Sequence, residues 1–438
     1  MRLARKAAGA TAALAAAALT LTGCGGGPGT AEPGSAEKLR TDEDITLSMA
    51  WWGDNGRADL YEKAIDVFEE RHPNVTVQTQ FQSWDDYWGA RATEAAGGAL
   101  PDVVQMDLQY VRQYASTGQL LDLDGQAGIN LDLDGVDPSL LASGEIDGRQ
   151  FGIPISTNTL ALFYNADLLD ELGIDPPAEG YTWDDLDAWI AEASRAGAGD
   201  DPVRYGLSDY TGQLWFLLQW LIQQGVEPFT DDGRLNFDEA QMTRWLDRGQ
   251  PLRDAGALFP IKKAKQIEPL DGFMAGEQVA AMTWDNFLGS YEAETGAEVR
   301  MLPMPSGANG PQQFWKPGMM LSASSSTTEP DAAAALIDFL VNDPEVGKIF
   351  GTSKGVPATQ AQIDAIEVEP GSVDERVVRF EKDVADVVTE PAPVPVQGIG
   401  ELNAELVRLS DELQYGSLTV DELVAQWFSF AESTVGQS

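Results

Sequence analysis

The alternation between residues 45 and 106 constrains this chain more than any other feature. Residues 45–49 read as a strand that ends in Trp51-Trp52-Gly53-Asp54-Asn55. Over about residues 57–71, Leu60, Ala64, Ile65 and Phe68 recur at helical spacing. His72-Pro73-Asn74 breaks that helix, and residues 75–81 alternate as a second strand. A helix over about residues 85–97 precedes a third strand at Pro101-Asp102-Val103-Val104-Gln105-Met106. Strand, helix, strand, helix, strand is the pattern of a parallel α/β sheet.

The pattern changes after Gly144. Residues 151–154 and 160–164 read as strands and several helices follow. Thr182-Trp183-Asp184-Asp185 has the form of a capping box; Asp238-Glu239 and Thr419-Val420-Asp421-Glu422 carry similar helix starts. Residues 214–224 form an apolar helix bearing Trp215 and Trp220. Residues 279–284 and 299–303 read as later strands, and residues 331–341 as a helix. Residues 391–395 are Pro-rich and extended, and the last helices run over about residues 400–430. One near-repeat, Leu121-Asp122-Leu123-Asp124-Gly125 and Leu131-Asp132-Leu133-Asp134-Gly135, lacks the third ligand and distal Glu of an EF-hand loop. Both copies read as acidic turns.

The N-terminus sets the compartment. Arg2, Arg5 and Lys6 precede an uncharged, Ala- and Leu-rich run that ends in Leu21-Thr22-Gly23-Cys24. A basic start, a short apolar core and small residues before a cut site make a secretory signal peptide over residues 1–23. The run is too short and too Ala-rich for a spanning helix. Cys24 is the sole cysteine, so no internal disulfide forms. Leu21-Thr22-Gly23-Cys24 resembles the bacterial lipobox, which implies that Cys24 becomes the first mature residue and carries a diacylglycerol on its sulfur. Residues 25–44 hold few apolar side chains and read as a flexible tether. The expectation is an exported protein, lipid-anchored to the outer face of the cell membrane and touching the membrane only through that lipid.

About 395 residues remain, enough for two to three domains. The formal charge is −42, and loss of three leader cations with no acids makes it about −45. Charge of that sign disfavours nucleic acid and anionic lipid as partners. One histidine, His72, and one cysteine allow no Ser-His-Asp set, no Cys-His pair and no zinc cluster. A Walker-type phosphate loop is also missing from the sequence. No catalytic residue, metal or cofactor is assigned. A glycoside hydrolase using two of the 70 acids stays open by counting alone.

Several segments, in order and spacing, resemble the family 1 extracellular solute-binding proteins of ABC importers, the maltose-binding-protein-like group. They are Phe68-Glu69-Glu70-Arg71-His72-Pro73-Asn74-Val75-Thr76-Val77, Leu100-Pro101-Asp102-Val103-Val104-Gln105-Met106 and Gly148-Arg149-Gln150-Phe151-Gly152-Ile153-Pro154 followed by Leu160-Ala161-Leu162-Phe163-Tyr164-Asn165. Phe273 to Met282, Met301 to Pro305, Lys316 to Ser322 and Gly355-Val356-Pro357 extend the likeness. The resemblance implies an α/β, two-lobed periplasmic-binding-protein-like fold whose chain crosses between lobes three times, near residues 154–158, 315–321 and 355–359. One lobe then takes residues 45–154 with 319–355, the other 159–316 with 358–438, and a hinge closes them on a ligand. It also implies a carbohydrate ligand, an oligosaccharide, and the permease subunits of an ABC importer as partners of a monomer. The alternatives are a cell-surface glycoside hydrolase and a binder of another solute such as a polyamine or peptide.

Sugars present C–H faces and rings of hydroxyls, so their binders need flat aromatics beside Asp, Asn, Gln or Arg. Trp51, Trp52, Asp54 and Asn55 supply that mixture after the first strand, where α/β sheets bind ligands. The resemblance adds Trp84, Asp107 and Gln109 after the next two strands and Ser156 and Asn158 at the first crossing. It adds Trp284, Asp285 and Asn286 after a later strand, and Trp315, Gly318 and Met319 at the second crossing. Many relatives carry Trp where Met319 stands. Trp215, with Gln213 near it, completes the set, on a helix apolar enough to be core. From the lipobox, Cys24→Ser is expected to leave the membrane fraction with its leader still processed; cell fractionation checks this, and unchanged membrane association refutes lipidation.

Overall fold

The computed structural model describes residues 36–435 except Asp54, Asp231, Pro269 and Glu367. The leader, Cys24, the tether up to residue 35 and the candidate ligand Asp54 lie outside the described residues. β1 (Ile45–Trp52), β2 (Val75–Gln82) and β3 (Val103–Met106) alternate with α1 (Asn55–Arg71), α2 (Trp84–Ala96) and α3 (Leu108–Ser116). β1 lies between the other two and pairs parallel with both, from Ile45 opposite Val75 to Trp52 opposite Gln82 and at Met49 opposite Val103. The first strand therefore runs past the expected residue 49 and takes both tryptophans into the sheet.

Seven strands make the large sheet. β6 (Ile153–Asn158), β10 (Gln313–Ala323), β11 (Val356–Pro357) and β12 (Val388–Pro391) join β1 to β3 in the order β11-β6-β10-β3-β1-β2, with β12 beside β10. β10 is antiparallel to both β3 and β6, so the sheet is mixed. A short hairpin, β4 (Glu145–Ile146) with β5 (Arg149–Gln150), precedes β6. The second sheet is antiparallel, in the order β8-β7-β9, with β7 (Leu160–Asn165) between β8 (Ala280–Trp284) and β9 (Val299–Pro303). The chain passes from the large sheet to the small one at Thr159 and returns between β9 and β10.

The buried side chains fall into two clusters. Leu47, Met49, Phe68, Leu321 and Leu336 belong to the one on the large sheet, which also takes Ala161, Phe163 and Ala281 from one face of the small sheet. Leu162, Trp183, Leu217, Trp245, Leu406 and Trp427 belong to the other, which β7 shares with surrounding helices. Local sequence sets where those helices start. Thr182 and Asp185 close a reciprocal capping box on the helix Trp183–Ala196, and Asp238 and Gln241 another on Glu239–Arg248. The two acidic near-repeats fold alike: Asp122 Oδ1 accepts from Asp124 N and Asp132 Oδ1 from Asp134 N, each at 3.0 Å. Among the described residues no helix is long and apolar enough to cross a membrane.

The strands at the crossing approach too closely for ordinary side chains. A Cβ on Gly318 would stand 2.5 Å from Ser156 Oγ and 2.6 Å from Lys354 O. Gly355 has φ +102°, and a Cβ there would stand 2.5 Å from Thr157 O. Both terms oppose a side chain. Gly355→Ala is therefore expected to lose about 2 kcal/mol or more of stability. Its urea midpoint checks this; a midpoint equal to that of the unmutated protein refutes it.

Candidate functional site

The tandem tryptophans leave β1 on opposite faces, as the period of a strand requires. Trp51 is fully buried, 4.5 Å from the Tyr61 ring on α1 and stacked on Phe81 at 6.1 Å. It has no surface to offer a solute, which corrects its sequence-based assignment: it continues the apolar row of Ile45, Leu47 and Met49. Trp52 points to α2, where it meets Trp84 edge-on at 5.0 Å, Tyr87 at 5.4 Å and Trp88 at 5.7 Å. These rings cover Trp52 to 8% exposure, whereas Trp84, the first residue of α2, keeps 38%. Tyr110 on α3 stacks on Trp88 at 3.7 Å and stands 6.3 Å from Trp84. Sequence reasoning missed Tyr110, because its link to Trp88 is made by two helices meeting. Asn55 begins α1 and is exposed.

Asp107 caps α3 through Gln109 N at 2.9 Å. Its other oxygen lies 3.9 Å from Lys316 Nζ, and that ammonium sits 5.6 Å over the Trp284 ring. Lys316 is on β10 of the large sheet and Trp284 ends β8 of the small one, so this cation links the two sheets. Gln109 is half-buried, with its Oε1 3.1 Å from where a Cβ on Gly400 would stand.

On the small-sheet side a cavity of about 330 Å³ is lined by Gln213, Trp215, Trp284 and Phe287, with Asp209 and Asp271 in its wall. Trp215 and Trp284 meet edge to face at 5.5 Å and both stay half-buried. Phe287 is 41% exposed, and the sequence reading passed over it in favour of its neighbour Asn286, which is exposed. Asp209 is held by Arg253 at 2.7 Å, and Asp271 accepts from Met274 N and Tyr291 Oη.

The remaining predicted residues are buried at the crossing. Ser156 Oγ donates to Lys354 O at 2.5 Å. Asn158 is 7% exposed, and its Oδ1 has no hydrogen-bond partner among the described residues. Trp315 pairs with Pro391 of β12, and Met319 sits between two register shifts of β10; both are buried. Gly318 approaches Ser156 through its backbone. Asp285 is fully buried: its Oδ2 accepts from Thr159 N at 3.2 Å, its own N–H donates to Thr159 O at 3.0 Å, and its carboxyl hydrogen-bonds Glu381. The assignment of Asp285 to the ligand surface is therefore corrected, since backbone and a second carboxyl occupy it. Burial pushes the acid up to about 7 and lifts Glu381 well above the carboxylate range, with repulsion from Asp285 adding to the latter. Burial also lowers the Lys354 ammonium to about 7, with its Nζ 3.5 Å over the Phe350 ring.

Comparison with known proteins assigns the family. The family model described as bacterial extracellular solute-binding protein matches residues 63–370. An uncharacterised lipoprotein of Streptomyces antibioticus is 26% identical over 356 residues, covering 76% of this chain and 72% of that one. The structure of a family 1 extracellular solute-binding protein from Alicyclobacillus acidocaldarius is 25% identical, with a TM-score of 0.73 over 90% of this chain and 99% of the other. A periplasmic oligogalacturonide binding protein from Yersinia enterocolitica shares the fold at 21% identity, with a TM-score of 0.74 over 90% and 99%. The chain belongs to the bacterial extracellular solute-binding protein family.

Proposed function

We propose that this extracellular solute-binding protein captures an oligosaccharide between its two sheets and delivers it to the permease subunits of an ABC importer. It acts as a monomer held to the outer face of the membrane through lipidated Cys24. Its sheets belong to two lobes that close on the sugar about the crossing strands. The observation that carries this reading is the line of aromatic and polar groups that spans both sheets. It runs from Trp52, Trp84 and Tyr110 through Asp107 and Lys316 to Trp284 and Trp215. Flat rings take the C–H faces of a sugar, and the exposed amides of Gln213, Asn286 and Asn55 offer donors and acceptors for its hydroxyls. The relative that binds oligogalacturonide supports the ligand class, and the Streptomyces lipoprotein supports the anchor.

The hydrolase alternative asks for two carboxyls flanking a solute. In the cavity wall Asp209 is tied to Arg253 and Asp271 to Met274 N and Tyr291. Asp285 and Glu381 are buried. Each of these acids is engaged in holding the protein together, which favours binding over hydrolysis.

A thermal-shift screen over neutral and acidic mono- and oligosaccharides tests the reading, because a ligand at a hundredfold excess over its Kd stabilises by about 2.7 kcal/mol. No shift with any saccharide refutes it. Trp84→Ala and Trp284→Ala are expected to melt near the unmutated protein without sugar yet weaken binding by about 2 kcal/mol, roughly thirtyfold. Retained affinity in both variants removes the aromatic surface from the site. Trp52→Ala behaves differently: its ring is packed under Trp84, Tyr87 and Trp88, so it is expected to lose about 3–5 kcal/mol of stability, read as a lower melting temperature without ligand.

A further inference from the structure

We infer that Asp285 and Glu381 share one proton and that this shared proton positions the Trp284 turn against the strand that crosses between the sheets. Its meaning for binding rests on Trp284 as a solute contact; the proton-sharing itself does not. Thr157 Oγ1, on β6 just before the crossing, donates to Glu381 Oε2 on the helix Val373–Val384. Asp285 holds Thr159, the crossing residue, by side chain and main chain at once. That leaves Glu381 Oε1 and Asp285 Oδ1. Both are buried, and neither accepts a well-aligned hydrogen bond from an N–H or O–H donor among the described residues, the main-chain N–H groups of Asp285 and Asn286 being the nearest to the Asp285 carboxyl. Each of these carboxyls instead hydrogen-bonds the other. Two carboxylates have only acceptors, so such a bond exists only while one of them carries a proton.

The ionisable groups on the packed elements have partners of their own. Arg376, on the same helix as Glu381, pairs with Glu292 of the helix Leu288–Thr295 at 2.6 Å, and Arg379 is nearest Glu375. Before β11, Lys354 lies over Phe350 and Tyr61; on β10, Lys316 lies nearest Asp107. The charge that acts on Glu381 is Asp285.

In the closed turn Asp285 stays protonated up to about pH 7, and Glu381, lifted well above the carboxylate range by burial and by the charge on Asp285, holds the shared proton beyond that. The opened turn hydrates both acids and releases their protons near the ordinary values of 3.8 and 4.5. The closed turn therefore binds more protons. It is most stable at low pH and loosens as pH rises above about 4.5, by up to tenfold in the opening equilibrium per pH unit for each proton. Above pH 7 the shared proton still separates the two states, so the loosening continues.

The test compares the unmutated protein with Glu381→Gln and Asp285→Asn, without ligand, between pH 4.5 and 7.5. Each amide keeps the acceptor for Thr157 or Thr159 and supplies the N–H that stands in for the proton. The readouts are the melting temperature and the amide exchange of residues 280–290, corrected for the intrinsic pH dependence of exchange. The unmutated protein is expected to lose stability and protection relative to both variants as pH rises, with the variants equal to it or better at pH 7.5. The same pH profile in all three proteins overturns the inference. So does failure of both variants to fold, because the amide is required to replace the proton. Failure of the saccharide screen leaves these ligand-free readouts intact, so the two readings fall separately.

Discussion

The antiparallel contact between β6 and β10 is the constraint on which the rest depends. Lys316 pairs with Asn158 and Leu321 with Ile153, and all six residues of β6 are buried. On that pairing hang the return of β10 to β3, the edge strand β11 and the exit of the chain through Thr159 into β7. The contact works because two positions have no side chain. Gly318 lets Ser156 and the Lys354 carbonyl come within reach, and Gly355 turns with a positive φ beneath Thr157. Thr159 is then fixed from three sides: its Oγ1 donates to Phe314 O at 3.1 Å and accepts from Gln313 Nε2 at 3.0 Å, while Asp285 holds its main chain. A crossing point held this way is a fixed connection rather than a slack linker.

How legible this was in the sequence depended on whether the signal was local. The β1–α1–β2–α2–β3 run was legible because each piece carries its own period, and the caps at Thr182 and Asp238 because their partners lie three residues away. β10 was read only as a crossing. Pro317 and Gly318 interrupt it, and register shifts flank Met319, so an eleven-residue strand has no clean alternation. β12 was hidden at the edge of a Pro-rich stretch, where only Val388–Pro391 pairs with its neighbour. The fates of Trp51 and Trp52 were half legible. A period of two from Ile45 through Leu47 and Met49 puts Trp51 with the core, but nothing local says that Trp84, Tyr87 and Trp88 will roof Trp52. Asp285 reads as a polar residue after a strand. Its burial comes from Glu381 and Thr159, each about a hundred residues away in sequence.

The aromatic surface gains stiffness from the same geometry that buries Trp52. Edge-to-face and stacked contacts link Trp52, Trp84, Trp88 and Tyr110 into one array, so the exposed ring of Trp84 is braced by three others. A braced ring has already lost its rotamer freedom before a solute arrives, and the entropy cost of ordering it on binding is correspondingly small. Trp215 and Trp284 brace each other in the same way across the cavity on the other sheet.

The acids deserve the same local reading, because net charge by itself points the wrong way. A chain of −42 looks suited to a cationic solute such as a polyamine. Charges on the outer surface are screened over about 8 Å at physiological ionic strength, so what a solute meets is set by the groups in contact with it. There Asp107 divides its oxygens between the cap of α3 and Lys316, and Asp209 is bound to Arg253. Taking either acid for a polyamine means breaking an existing pair and leaving its cation unmatched, a cost that grows with burial. In the proposed site a solute meets rings instead, with the Lys316 ammonium over Trp284 and the exposed amides of Gln213 and Asn286 at the small-sheet side. An uncharged, hydroxyl-rich ring fits those groups without displacing any partner, and this is the physical reason for preferring a sugar to a cation.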